Sequence, residues 1–125
     1  MNKCYLITPA SDVTTLNYAN QDALIDLVNT HVCPEYGFYI LNTFTFRGWR
    51  FSAYRVDPCL FDDADMLKEN PLAGELTGVF TCNNIIVVGT APAIGLTAIQ
   101  RARLKRHLED ITYTYDLTPI TFHNA

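Results

Sequence analysis

The run Ile85-Ile86-Val87-Val88 has no polar residue at alternate positions. A strand that meets water on one face alternates apolar and polar side chains, so this run demands cover on both faces. It is the candidate central strand, and the rest of the chain must supply its neighbours and its two covering layers. Residues 77–82 form a second apolar, β-branched run, separated from residues 85–90 by Asn83-Asn84. Asparagine tolerates positive φ, so this pair predicts a two-residue hairpin turn.

Other segments fall into place around it. Residues 3–8 read as a first strand ended by Pro9, and residues 14–18 as a short second one. Asn20 is a good N-cap, and Leu24, Leu27, Val28 and Val32 follow at helical spacing. A helix is predicted over residues 21–31, stopped at Cys33-Pro34 because the residue before proline avoids the helical region. Residues 38–46 are aromatic and β-branched, and residues 50–56 alternate, which predicts a β-hairpin with its turn near Gly48. A short helical turn is expected near residues 64–68. Asn70-Pro71 reads as an N-cap followed by proline at the first helical position, opening a brief turn through Leu76. Residues 89–95 form a linker. Thr97 and Gln100 then make a capping-box pattern before a helix with the stripe Leu104, Leu108 and Ile111. Residues 112–118 alternate Thr and Tyr and read as a strand ended by Pro119.

With 125 residues, 49% of them hydrophobic, the chain suits a single globular domain spanning residues 1–125 and burying its own core. The fold class expected is α+β: a mainly antiparallel sheet with two helices packed on one face. No stretch approaches the roughly 20 apolar residues of a membrane span, and the start is too short for a signal-peptide core, so a cytoplasmic location and no membrane partner are expected. The four cysteines show no Cys-x-x-Cys pair, and no two histidines lie at zinc-ligand spacing. Reduced thiols, no metal and no cofactor follow from that pattern.

The formal net charge is −4, which argues against a partner such as duplex DNA. That total hides two opposed fields. Residues 57–75 hold six acids and one base, whereas residues 101–106 hold four bases and no acid. Asp62, Asp63 and Asp65 resemble the start of a calcium loop but lack its glycine and distal glutamate, leaving an acidic contact surface as their functional reading. Arg101, Arg103 and Arg106 form the basic counterpart. Arg47, Trp49, Arg50 and Tyr54 share one hairpin, where bases can stack on aromatics while arginine meets phosphate. The loop from Gly89 to Gly95 before the capped helix is the one loop suited to offer backbone N–H groups to an anion. Cys33, Cys59 or Cys82 with His31, His107 or His123 would make a thiol nucleophile only with a depressed thiol pKa; no catalytic constellation is assembled, and no catalytic residue is assigned.

Asn70-Pro71-Leu72-Ala73, then Leu76, Gly78 and the apolar strand ending in Gly89, resemble the most recurrent segment of a short uncharacterised domain family. Phages, plasmids and conjugative elements encode that family, and the order of elements over residues 3–90 is similar. The family's central hairpin usually turns on an acidic residue and glycine, where this chain has Arg47-Gly48. No activity is assigned to the family, so no site residue carries over. The resemblance implies an accessory or counter-defence gene product of a mobile element.

The expected function is thus a small non-enzymatic binding protein acting by contacts with a host or defence-system protein. A nucleotide or single-stranded nucleic-acid binder built on the aromatic hairpin is the alternative. A homo-oligomer is also open, through exposed sheet edges such as residues 3–8 or 112–118.

Overall fold

The computed structural model describes residues 1–34, 38–61, 66–89 and 95–124. It shows an α+β domain whose sheet has six strands in the order β3-β4-β5-β1-β2-β6. The strands are β1 (Asn2–Ile7), β2 (Asp12–Tyr18), β3 (Ile40–Phe46), β4 (Trp49–Arg55), β5 (Ile85–Gly89) and β6 (Thr121–Asn124). All neighbours pair antiparallel except β2 and β6, which run parallel. Among the described residues three α-helices accompany the sheet: α1 (Gln21–His31), α2 (Pro71–Thr77) and α3 (Ala98–Thr114). No helix among the described residues is long and apolar enough to cross a membrane.

The apolar run occupies the interior position expected of it. β5 lies between β4 and β1, and all five of its residues are buried. Its side chains divide between two cores. Ile85 and Val87 join Leu72, Leu76, Leu104, Leu108 and Ile111 from α2 and α3, whereas Ile86 and Val88 join Leu24 and Val28 from α1. The helices therefore cover both faces, which corrects the expectation of two helices on a single face. The physical reason lies in β5 itself: with no polar alternate, neither face tolerates water.

Two other expectations are overturned. Residues 77–82 make no hairpin with β5. α2 ends at Thr77, and Gly78 takes the left-handed conformation (φ 79°) that closes a helix. The chain then folds back on residues 68–70: Asn70 N–H donates to the Thr81 carbonyl at 2.8 Å, and Asn83 N–H to the Lys68 carbonyl at 2.7 Å. Asn83 does adopt positive φ, 62°, but in that local fold-back and not between two strands.

Residues 112–118 are not a strand either, because α3 runs through Thr114. Ile111 extends the buried stripe of Leu104 and Leu108, and the Thr112 hydroxyl donates to the Leu108 carbonyl at 2.9 Å. A helix nucleated by a complete capping box gains a hydrogen bond per added residue, which outweighs the modest β-propensity of Thr and Tyr. The helix stops where Asp116 turns left-handed (φ 52°) and Leu117 N–H reaches the Thr112 carbonyl at 2.9 Å, a Schellman closure. The sheet edges are thus β3 and β6; β1, the strand expected at residues 3–8, is interior.

Candidate functional site

The β3–β4 turn is the first element of the site. Phe46 pairs with Trp49 across it, and its two central residues, Arg47 and Gly48, have φ of 53° and 79°. Positive φ at both central positions is the type I′ geometry that matches the twist of a two-residue hairpin. Glycine adopts it freely. For arginine the left-handed region costs about 1 kcal/mol, and Asn or Asp is the usual occupant.

The second element is α3. Its capping box fixes the start: Gln100 N–H donates to Thr97 Oγ1 at 3.1 Å and Thr97 N–H to Gln100 Oε1 at 3.0 Å. With Leu104, Leu108 and Ile111 facing the core, Arg103, Arg106 and Asp110 fall on the exposed side and His107 at its border. The His107 ring stacks on Phe46, with centroids 4.2 Å apart and planes 13° apart. The Arg47 guanidinium lies 5.5 Å from the same Phe46 centroid, within cation–π range.

Together these residues line a cleft of about 280 Å³ formed by Phe46, Arg47, Arg103, Arg106, His107 and Asp110. Burial lowers the His107 pKa, Asp110 opposes that shift, and Arg47 adds to it. The imidazole is therefore neutral at pH 7. Three guanidiniums face one carboxylate there, so the cleft is positive in a protein of net charge −4. Among the described residues the one ion pair is His123–Asp12, at 2.9 Å between β6 and β2. Arg47, Arg103 and Arg106 thus have no carboxylate within ion-pair distance among the described residues.

The residues singled out from the sequence are redistributed by this geometry. Arg103 and Arg106 belong to the cleft, and so does Arg47, which sequence reasoning assigned to a different surface. Arg101 does not: its guanidinium donates to the Leu96 carbonyl at 2.7 Å, and its own carbonyl accepts from the Tyr5 hydroxyl at 3.0 Å. It fastens the start of α3 to the sheet. Asp62, Asp63 and Asp65 lie outside the described residues, as do Ala64 of the expected helical turn and residues 90–94 of the expected anion loop.

The aromatic hairpin does not assemble as a stacking surface. β4 sends Trp49, Phe51 and Ala53 to the α2/α3 face and Tyr54 to the α1 face, where it is buried against Tyr39. Trp49 is half-buried, edge-on to Phe51 at 6.4 Å, and Arg50 points to the face opposite Trp49. Sequence reasoning missed Asp110 as a site residue and weighed His107 only as a partner for a thiol. The available signal was Arg47 itself, a poor occupant of a tight hairpin turn.

Three of the four cysteines are buried where a thiolate is disfavoured. Cys4, Cys33 and Cys82 are buried and Cys59 is exposed. Burial pushes the Cys4 thiol up to about 12 and raises Cys33 and Cys82 as well, so these thiols stay protonated at neutral pH. No group of three or more metal-ligating side chains occurs among the described residues. A second cleft of about 330 Å³, lined by Val32, Cys33, Val56, Phe61, Met66 and Lys68 among others, is mainly apolar.

Comparison with known proteins brings out no relative: no family model, no curated protein and no solved structure matches the chain.

Proposed function

We propose that this is a small non-enzymatic binding protein that grips an acidic segment of a partner protein in the Arg47–Arg103–Arg106 cleft. One observation carries the reading: three guanidiniums from two separate elements line one cleft beside the stacked Phe46–His107 pair, outnumber the Asp110 carboxylate there, and have no carboxylate within ion-pair distance among the described residues. An arginine fork presents paired donors that match a carboxylate, and the aromatic floor covers one side from water. Arg47 adds independent weight. It holds a backbone conformation that favours Asn or Gly, and residues retained at such a cost cluster at functional sites. The resemblance at Asn70–Ala73 adds the context: an accessory or counter-defence factor of a mobile element, with a host or defence-system protein as partner.

The nucleotide alternative has less support, because Trp49, Arg50 and Tyr54 do not share one surface. A phosphate on the arginines is the part of it that the cleft accommodates.

The substitution Arg47→Asn separates function from structure, because the two effects have opposite signs. Asparagine suits the type I′ turn, so the unfolding midpoint should rise, by about 0.5–1 kcal/mol of stability. Affinity for a short oligoglutamate peptide, followed by amide resonances of residues 46–47 and 103–110, should fall about tenfold. Those shifts should also fade with added salt. A peptide that perturbs none of these resonances in the wild type overturns the reading. Quenching of Trp49 fluorescence by ATP, without any response to oligoglutamate, would turn it toward the nucleotide alternative.

A further inference from the structure

The two edges of the sheet are unequally defended. β6 is four residues long, carries His123 tied to Asp12, and has the Lys105 ammonium 4.7 Å from its Phe122 ring. β3 is seven residues, Ile-Leu-Asn-Thr-Phe-Thr-Phe, with no charge and no proline. It pairs with β4 in unbroken register from Ile40↔Arg55 to Phe46↔Trp49, so no bulge twists it away. Along its outer side no strand pairs with it among the described residues. Short length, charge, proline and bulges are the devices that protect natural edges, and β3 has none of them. Phe38 and Leu41, beside and within it, are 69% and 52% exposed.

We propose that β3 is a self-association edge, pairing antiparallel with β3 of a second copy to form one continuous sheet across the dimer. The strand is self-complementary about its midpoint, Thr43. Full overlap sets Thr43 against Thr43, Leu41 against Thr45, Asn42 against Phe44, and Ile40 against Phe46. No like charges meet in that register, and β-branched and aromatic cross-strand pairs are favourable. The same register carries Tyr39 and Phe38 toward the partner's Arg47-Gly48 turn, which covers the exposed Phe38 ring. A two-fold contact uses the same edge on both copies, so assembly stops at two. A single-strand contact lies at the small end of specific interfaces, below about 1,200 Å² in total, which suits a reversible dimer.

Sedimentation velocity over about 5–500 µM protein tests this. The wild type should shift from monomer to dimer with concentration. Thr43 is exposed, so Thr43→Lys is compatible with the monomer fold, which its unfolding midpoint checks. It places two ammonium groups together at the dyad and should weaken the dimer about tenfold or more. Thr121→Lys on the β6 edge should dimerise as the wild type does. A wild type that stays monomeric at the highest concentration overturns the proposal. So does a dimer that survives Thr43→Lys or is lost in Thr121→Lys.

Discussion

The face beneath α2 and α3 and the face beneath α1 bury similar aliphatic side chains but treat their polar groups differently. Where α2 meets the sheet, Asn70 is fully buried and every polar group on it is used. Its side-chain oxygen accepts from Ala73 N–H at 3.1 Å, and its amide donates to the Ile7 carbonyl at 3.2 Å and the Asn83 carbonyl at 2.9 Å. Its backbone N–H and carbonyl bond Thr81 and Gly74. Beneath α1, Tyr18 is also buried, yet its hydroxyl has no hydrogen-bond partner among the described residues. One face uses a buried polar residue as a joint; the other tolerates a buried polar atom as a cost.

Removing the joint should have the largest effect. Asn70→Ala deletes a helix cap worth about 1 kcal/mol and leaves the Ile7 and Asn83 carbonyls short of a donor at about 1 kcal/mol or more each. The expected loss is about 3 kcal/mol or more, a large share of the 5–15 kcal/mol typical of a whole domain. Urea unfolding measures it. Asn70→Asp keeps the cap acceptor but loses both donors, so its loss should be comparable. A loss of only about 1 kcal/mol for Asn70→Ala, with little loss for Asn70→Asp, would show that the cap alone matters. The fold-back of residues 68–70 on 81–83 would then stand without the asparagine.

The opposite face predicts the opposite sign. Tyr18→Phe removes a hydroxyl that burial holds un-ionised, its pKa pushed up to about 12 by burial and by the neighbouring Cys4 and Tyr54. No hydrogen bond is lost, so stability should rise by about 1 kcal/mol. The same measurement checks it. A destabilised Tyr18→Phe would mean that the hydroxyl is satisfied in solution, and the two faces would then follow one rule.

How much of this was legible in the sequence depends on the range of the forces involved. β5 was legible because its burial is written into four consecutive residues, and the α1 and α3 starts because a cap acts over one turn. The fold-back at residues 77–83 was not, since its decisive bonds join Lys68 and Asn70 to Thr81 and Asn83 across α2. Residues 112–114 were misread because alternating Thr and Tyr state a local β preference, whereas Ile111 and the Schellman closure decide for helix. The site was legible only in halves. Arg103 and Arg106 were visible as a basic helix face and Arg47 as part of a hairpin. Their meeting requires the Phe46–His107 stack, a contact between residues 61 positions apart that no local pattern encodes.

The smallest expected effect concerns pH, where the faces separate again. Burial raises the Cys4 thiol from 9.0 to about 12. The unfolded chain therefore releases that proton first as pH rises, and this contribution of the α1 face is lost above pH 9. His107 works in the other direction. Its folded pKa is lowered, chiefly by burial against Phe46, from 6.5. As pH falls through 6.5 the unfolded chain takes up the proton before the folded one does. Stability therefore declines from pH 6.5 downward until the folded imidazole also protonates, and the loss then stops growing. Because the ring is only half-buried, the decline should be shallow. His107→Gln keeps a polar side chain on α3 without the titration. Its unfolding midpoint should fall less between pH 7.5 and 5 than that of the wild type. Equal slopes in the two proteins would mean that the imidazole protonates as readily folded as unfolded. The Phe46 stack would then not be shielding it, and the cleft would carry an additional positive charge at acidic pH.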